Sequence, residues 1–418
     1  MSLMNENGKV RILMGTYFSL NCISLSYVVF YLGMFGFQDH TIGTIVSISA
    51  VIGFVLQGML GRIIDTHPKW YWRNLLIVLG IFVLIVCGLI LICQLINIGS
   101  LMLGGLYAVF IIITLGMGPL VNTSSFYYTA HGRPVNFGVA RGIGSVVFAA
   151  VSYIIGVFSA QMGVIFIPIF GVVVSLLFIL STIILPDLGS AYASGDMQSS
   201  SKTSLVSRDF IQRNKYFILM ALGICMVLIL HNIVNSFLIR MVENVGGTSD
   251  ALGIALAIAA VCELPVLFLY ESFVKRFNIS SQFLIFLACM FFVIRGILYL
   301  FATSVVFIYA VQILQSVSFA LLIASKTHYA DEGVGEEDKA TGQSIMSMTE
   351  ASGMVLGSAV GGWALSLGGI NMMYIVGIGF AVVGSLLVLA MYLSNRNSPS
   401  PVESWSFYHP IDSSYFFK

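Results

Sequence analysis

Runs of apolar residues, broken at short intervals by polar or charged clusters, fill the chain from residue 12 to residue 394. One of them, Leu75 to Cys93, contains no charged residue. A helix rises 1.5 Å per residue, so about 20 apolar residues cross the ~30 Å hydrocarbon core of a bilayer. Strands of a membrane barrel would alternate polar with apolar residues, and these runs do not alternate. The pattern predicts twelve spanning helices. Six lie at 12–36, 41–64, 74–95, 99–122, 137–160 and 163–185, and six more at 215–241, 250–272, 280–302, 304–327, 340–366 and 370–394. Between the two sets lies a stretch rich in Ser, Gly and charge, which reads as a linker. The expected organisation is a six-helix bundle over 1–186, a cytoplasmic linker over 187–214, a second six-helix bundle over 215–394 and a tail over 395–418.

Composition supports a lipid setting. Of 418 residues, 58% are hydrophobic and 9% charged, against about 25% charged in soluble domains. The net charge of +1 implies no nucleic-acid partner. The position of the charges says more than their sum. Lys9 and Arg11, then Arg62, Lys69 and Arg73, then Arg133, then Lys202, Arg208, Arg213 and Lys215, then Lys275 and Arg276, then Lys326 and Lys339, and finally Arg396 fall at alternate ends of the predicted spans. The intervening loops hold almost no Lys or Arg apart from Arg240. By the positive-inside rule both termini are expected in the cytoplasm, in the cytoplasmic membrane of the cell. The six cysteines all lie within apolar runs and read as small packing residues. The first apolar run lacks a small-residue cleavage site and reads as the first span, without a cleavable signal.

The two halves share a local pattern. Gly36-Phe-Gln-Asp39 precedes Gly43 at the start of span two, and Gly246-Gly-Thr-Ser-Asp250 precedes Gly253 at the start of span eight. An offset of half the chain is what a duplicated six-helix unit would leave.

Several charges fall inside apolar spans: Arg141, Glu263, Arg295 and Glu350. A charge at the bilayer centre costs at least ~2.5–3.5 kcal/mol, so such residues face a wet cavity or one another. Static pairing between helices is the plain alternative, and Arg141, close to the start of its span, can snorkel. His231 is a lone ionisable group of span seven and suits either a neutral core residue or a partner for Glu350; a pair joining spans seven and eleven is expected. Glu263 is the expected proton carrier, its affinity for a proton raised by burial and lowered by Arg295.

The loop after span two reads Gly61-Arg-Ile-Ile-Asp65-Thr-His-Pro-Lys69, with Arg73 following. It resembles the loop motif of the major facilitator superfamily. Gly61 is expected to allow close helix approach, and Asp65 and Arg73 to form a latch that breaks as the halves rock. Further on, Asn136-Phe-Gly138-Val-Ala-Arg141-Gly-Ile-Gly144-Ser145 is similar to the start of span five in the lactose permease branch, the oligosaccharide:proton symporters. Cys262-Glu263-Leu-Pro265, Arg295-Gly296 and the series Gly353, Gly357, Gly361 follow in the same order. The resemblance implies an all-α membrane protein of two pseudo-symmetric bundles. It also implies sugar contacts from Arg141, a stacking ring at Phe148, and substrate and proton roles for Glu263 with Arg295. The sequence departs from that branch at Asn122, where an acid is expected. It departs again at Gln312, Gln315 and Ser318, where span ten of the permease carries its ionisable set.

The resulting expectation is a secondary transporter, with proton-coupled uptake of a sugar or similar hydroxyl-rich solute by alternating access. Binding would rest on Asn122, Arg141, Phe148, Glu263, Gln312 and Gln315. Proton coupling would rest on Glu263, Arg295, His231 and Glu350. Nucleoside or aromatic-acid permeases, drug efflux and a membrane sensor are the alternatives. No His-rich or Asp-rich motif, nucleophile elbow or phosphate-binding loop points to an enzyme or an ATP-driven pump. The acidic run Glu336-Glu337-Asp338 reads as a solvated loop. No cofactor or metal is expected. The partners are the solute, protons and the lipid bilayer, and the working unit is a monomer.

Overall fold

The computed structural model describes residues 5–66, 72–97, 99–186 and 208–396. The side chain of Asp65, residue Lys69, the linker with Lys202 and the tail beyond 396 lie outside the described residues. Among those described there is helix and no strand. The spans are α1 (Glu6–Ser26 with Val28–Met34), α2 (Asp39–Thr66), α3 (Trp72–Leu95), α4 (Ser100–Ala130), α5 (Phe137–Met162) and α6 (Phe166–Ile183). The second set is α7 (Lys215–Ser236 with Leu238–Asn244), α8 (Ser249–Phe277), α9 (Ser281–Leu300) and α10 (Val305–Glu332). A last continuous helix, Lys339–Arg396, runs 58 residues. At 1.5 Å per residue it would be about 87 Å long, far more than a bilayer. It breaks at Gly368 and Gly369, and Gly369 takes φ +67°. The arms before and after that break are α11 (339–367) and α12 (370–396), so the described residues make twelve helical segments long enough to span, as the apolar pattern predicts.

Polar caps fix several helix starts. Asn5 accepts from Gly8 N, Asn136 from Val139 N, Ser280 from Phe283 N and Ser304 from Phe307 N. Each side chain pairs one of the backbone N–H groups that a helix start leaves over. Asn136, part of the span-five motif, is thus the cap of α5. Proline inside a helix frees the carbonyl four residues earlier. Pro119 of α4 frees Leu115, and Gln57 of α2 donates to that carbonyl at 2.8 Å. In a membrane interior the orphaned acceptor has no water to turn to, so the glutamine supplies what the sequence removed.

The duplication is legible in the backbone. α1 breaks at Tyr27 (φ −105°, ψ 3°) and α7 at Phe237 (φ −107°, ψ 20°), 210 residues apart. Gly36 and Gly246, at the same offset, both take φ +80°, which a residue with a Cβ adopts only under strain. Within the first half α3 packs on α6 and α1 on α5; within the second α7 packs on α11 and α9 on α12. The expected glycine series lies in the α7–α11 contact. A Cβ on Gly357 would sit 2.7 Å from Asn232 Cβ, and one on Gly361 2.9 Å from the Phe237 ring. Small residues let backbones approach closely where lipid gives no hydrophobic drive.

Two expectations need correction. Lys326, expected at the end of a span, lies inside one: α10 runs on to Glu332, and Lys326 is 2% exposed. Asp338 is not solvated either. It is buried, accepting from Arg213 at 3.1 Å and from Asn214 Nδ2 at 2.8 Å, and so ties the short helix Arg208–Arg213 to the start of α11.

Candidate functional site

The face that carries the start of α1 and the end of α12 is the terminal face; the other is the opposite face. The first and second halves meet along two seams, α2 against α11 and α5 against α8. Near the opposite face both seams close backbone to backbone. A Cβ on Gly253 would lie 2.5 Å from Ser152 O and 3.0 Å from Gly156 Cα. One on Gly43 would collide with Ser358 O and lie 3.2 Å from Gly362 Cα. These contacts are related by the repeat: Gly43 stands to Gly253 as Ser152 and Gly156 stand to Ser358 and Gly362. Hydrogen bonds join the halves at the same end. Arg240 Nε donates to Asp39 Oδ1 at 2.8 Å, His40 N to Ser366 Oγ at 3.0 Å, Ser249 Oγ to Gly156 O at 3.1 Å and Ser47 Oγ to Val355 O at 2.8 Å.

Below this closure lie the polar groups of the spans. Arg295, about 21 Å along α9 from its terminal-face start, is 2% exposed. Its Nη2 donates to Gln312 Oε1 at 2.5 Å, its Nε donates to Tyr299 Oη at 3.2 Å, and Tyr299 Oη donates to the same Gln312 oxygen at 3.1 Å. No carboxylate lies within ion-pair distance of Arg295 among the described residues. Gln315 Nε2 donates to Glu263 Oε1 at 2.9 Å. Glu263 lies midway along α8, two residues before the helix-internal Pro265. Around Gln315, α10 is not regular: a 3-10 turn (Ile313–Gln315) runs into a π-helical turn (Ser316–Ala320), a distortion that re-aims side chains. Gln312 Nε2, Gln315 Oε1 and His231 Nδ1 are buried without a partner.

From the other half, Arg141 lies about one turn into α5. Its Nη1 donates to Ser145 Oγ at 3.0 Å, and its guanidinium lies 4.1 Å from the centre of the Phe18 ring. It is within electrostatic reach of Glu263 and Glu350 of the second half, with no ion pair to either. The ring beside Arg141 is therefore Phe18 of α1, which the sequence pattern does not single out. Phe148, two turns further along α5, packs against the core. Asn122 of α4 is half-buried and makes no described side-chain hydrogen bond.

The expected pair between His231 and Glu350 does not form. His231 Nε2 meets Asn235 Nδ2 at 2.9 Å, and its ring stacks on Phe319 at 4.0 Å. Glu350 instead pairs with Lys326 at 2.5 Å. Among the described residues nothing lies within 4 Å of a Cβ on Gly61, so no close helix approach forms there. Arg73 Nη1 donates to Leu185 O at 2.8 Å and so closes the end of α6.

The family model described as MFS_1 like family matches residues 10–376. The chain belongs to that family. It is a transporter of the major facilitator type and an all-α, multi-pass membrane protein. No curated protein matches it by sequence. Solved structures that share its fold include the nucleoside transporter NupG, with a TM-score of 0.75 and 18% identity over 94% of this chain and 100% of that one. A POT family transporter in complex with a thioalcohol-conjugated peptide gives 0.70 and 14% over 93% and 96%. A bacterial homologue of the human lysosomal transporter Spinster, inward-facing and unoccupied, gives 0.64 and 15% over 95% and 99%. At such identities the likeness concerns the fold.

Proposed function

We propose that this member of the family carries a neutral, hydroxyl-rich small solute, a sugar or a nucleoside, together with protons. It does so by alternating access between a bundle over 1–186 and one over 215–394. The observation that carries this reading is a set of neutral polar atoms left over on α10 of the second half. Gln312 Nε2 and Gln315 Oε1 are buried without partners among the described residues; Gln315 holds Glu263, which lies within electrostatic reach of Arg141 from the first half. Leaving such groups unpaired costs about 1–3 kcal/mol each, which a ligand rich in donors and acceptors would recover. Hydroxyls serve both needs, since each both donates and accepts. Glu263 binds the proton. It is anionic when Arg141 and Arg295 dominate its surroundings and neutral when the cavity around it dries. The Lys and Arg residues near helix ends support placing the terminal face in the cytoplasm of a cytoplasmic membrane, with both termini inside. The conformation is then closed toward the outside, at the Asp39–Arg240 end. The protein works as a monomer.

The test is solute-induced alkalinisation in lightly buffered cells expressing the protein, with lactose, melibiose, uridine and adenosine offered separately. The expected result is alkalinisation with one class, abolished by Glu263→Gln while labelled solute still exchanges across the membrane. Uptake without any pH change would refute proton coupling.

A further inference from the structure

The buried lysine of α10 is not used by the solute site. Lys326 lies 3% exposed by its side chain, with three acceptors around Nζ, all from α11: Met346 O at 2.8 Å, Thr349 Oγ1 at 3.3 Å and Glu350 Oε1 at 2.5 Å. An ammonium has three N–H donors and a neutral amine has two, so this cradle fits the charged form. Its counter-ion is the wet member of the pair. The Glu350 side chain is 47% exposed, although Glu350 sits about 17 Å into α11, well inside the membrane. The carboxylate is the accessible member of the pair, while the cation it neutralises is enclosed.

Other charged and titratable groups lie on the elements around Glu350. On α10 beyond Lys326, His328 packs on Tyr270, Asp331 accepts from Gln343, and Glu332 ends the helix. On α11 Lys339 pairs with Glu336, and on α7 Lys215 starts the helix while Arg240 is held by Asp39 and Glu243 at the opposite face. On α2 the side chain of Asp65 lies outside the described residues. Arg141 of α5 lies within its electrostatic reach from the first half. On α7, His231 is held by Asn235 and Phe319. On α9, Arg295 is tied to Gln312. On α2, Asp39 and His40 lie at the opposite face and Arg62 toward the terminal face. From 370 to 395, α12 contributes no charge.

We propose that Glu350 is a second proton-binding site, with Lys326 as its fixed counter-ion, and that together they control closure of the terminal face against Arg141. The inference rests on the transport reading above. When Glu350 is ionised it neutralises Lys326 and draws Arg141 across the cavity, which favours closing the terminal face. A proton taken from cavity water onto the carboxylate leaves two cations, Lys326 and Arg141, on facing halves. Their repulsion holds the terminal face open. Release of the proton into the cytoplasm thus favours the return to the outward-open state, which is the direction symport requires. Lys326 acts through Glu350 and is a positioning residue.

The test separates stability from coupling. Glu350→Gln leaves Lys326 buried without a counter-charge and is expected to lower the thermal midpoint of the purified protein. Combined with Lys326→Met, it is expected to regain that midpoint. In cells, with tritiated uridine and labelled lactose as probes, the double variant should retain solute exchange. Its gradient-driven accumulation should fall about tenfold or more, a loss of ~1.4 kcal/mol of coupling. Accumulation at the unmodified level would reduce the pair to a structural tie and overturn the proposal. A readout without solute covers the case in which the double variant does not fold. A cysteine placed by Ser347→Cys, an exposed position one turn before Glu350 on the same face of α11, should, relative to a free thiol alkylated at the same pH, react faster at acidic than at neutral pH, and Glu350→Gln should remove that relative change. A relative rate that does not change with pH in the otherwise unmodified protein would overturn the switch. A clear pH dependence with no accumulation of either probe would overturn the solute assignment instead.

Discussion

Asp39 and Arg240, 201 residues apart in sequence, form a 2.8 Å ion pair that ties the start of α2 to the end of α7. Glu243 holds the same guanidinium at 2.8 Å from within α7, so Asp39 is the partner that must let go when the opposite face opens. Both members are about a quarter exposed, which limits the pair to about 1 kcal/mol. Asp39→Asn is expected to shift the equilibrium about fivefold toward an open opposite face. Alkylation of a cysteine placed near that face should speed up by that factor. The swap Asp39→Arg with Arg240→Asp should reverse most of the change.

The glycine seams allow a sharper steric test. Gly43→Ala and Gly253→Ala each place a methyl group against backbone carbonyls that cannot move aside alone. Either is expected to prop the opposite face open and cut uptake by at least about tenfold, about 1.4 kcal/mol. Gly88→Ala and Gly105→Ala, where a Cβ meets open space, should be neutral. Equal losses at all four positions would mean that helix chemistry, not contact at the seam, decides the outcome.

Gln57 and Pro119 form a matched set. Gln57→Leu leaves Leu115 O without a partner and is expected to destabilise the protein by about 1–3 kcal/mol. In combination with Pro119→Ala, which restores the helical N–H, the loss should shrink. Thermal unfolding of the purified single and double variants measures both.

Arg141 presents a planar fork stacked on Phe18, which a lysine does not reproduce. Arg141→Lys is expected to lower apparent solute affinity about tenfold or more while protein abundance holds. A concentration series of uptake gives the number. Phe18→Leu, which removes the ring and keeps the bulk, should lower affinity by a smaller factor.

Much of the fold is legible in the sequence because lipid imposes a length rule on every span, and the helix bounds of the structure follow the apolar runs closely. The run alone does not show where a helix ends once it leaves the hydrocarbon. α10 continues to Glu332, so Lys326, expected at the end of its span, is buried. The interior charges Arg141, Glu263, Arg295 and Glu350 stand out because lipid makes them costly. Their partners do not, since partnership depends on helix rotation, which apolarity on all sides leaves unspecified. Glu350 therefore meets Lys326 and not His231, and Arg141 meets Phe18 and not Phe148. The turn at Gly36 and its counterpart at Gly246 were readable because a left-handed backbone position leaves a glycine in the sequence.

The seams at Gly43 and Gly253 have a kinetic meaning. Where glycine meets a main-chain carbonyl, no rotamer is frozen on contact and none is released on parting. The toll of each opening falls on solvation of a few carbonyls rather than on reordering side chains. Such an interface can part and re-form many times with few side chains to rearrange, and the duplication provides one on each of the two seams, so that both give way in one movement.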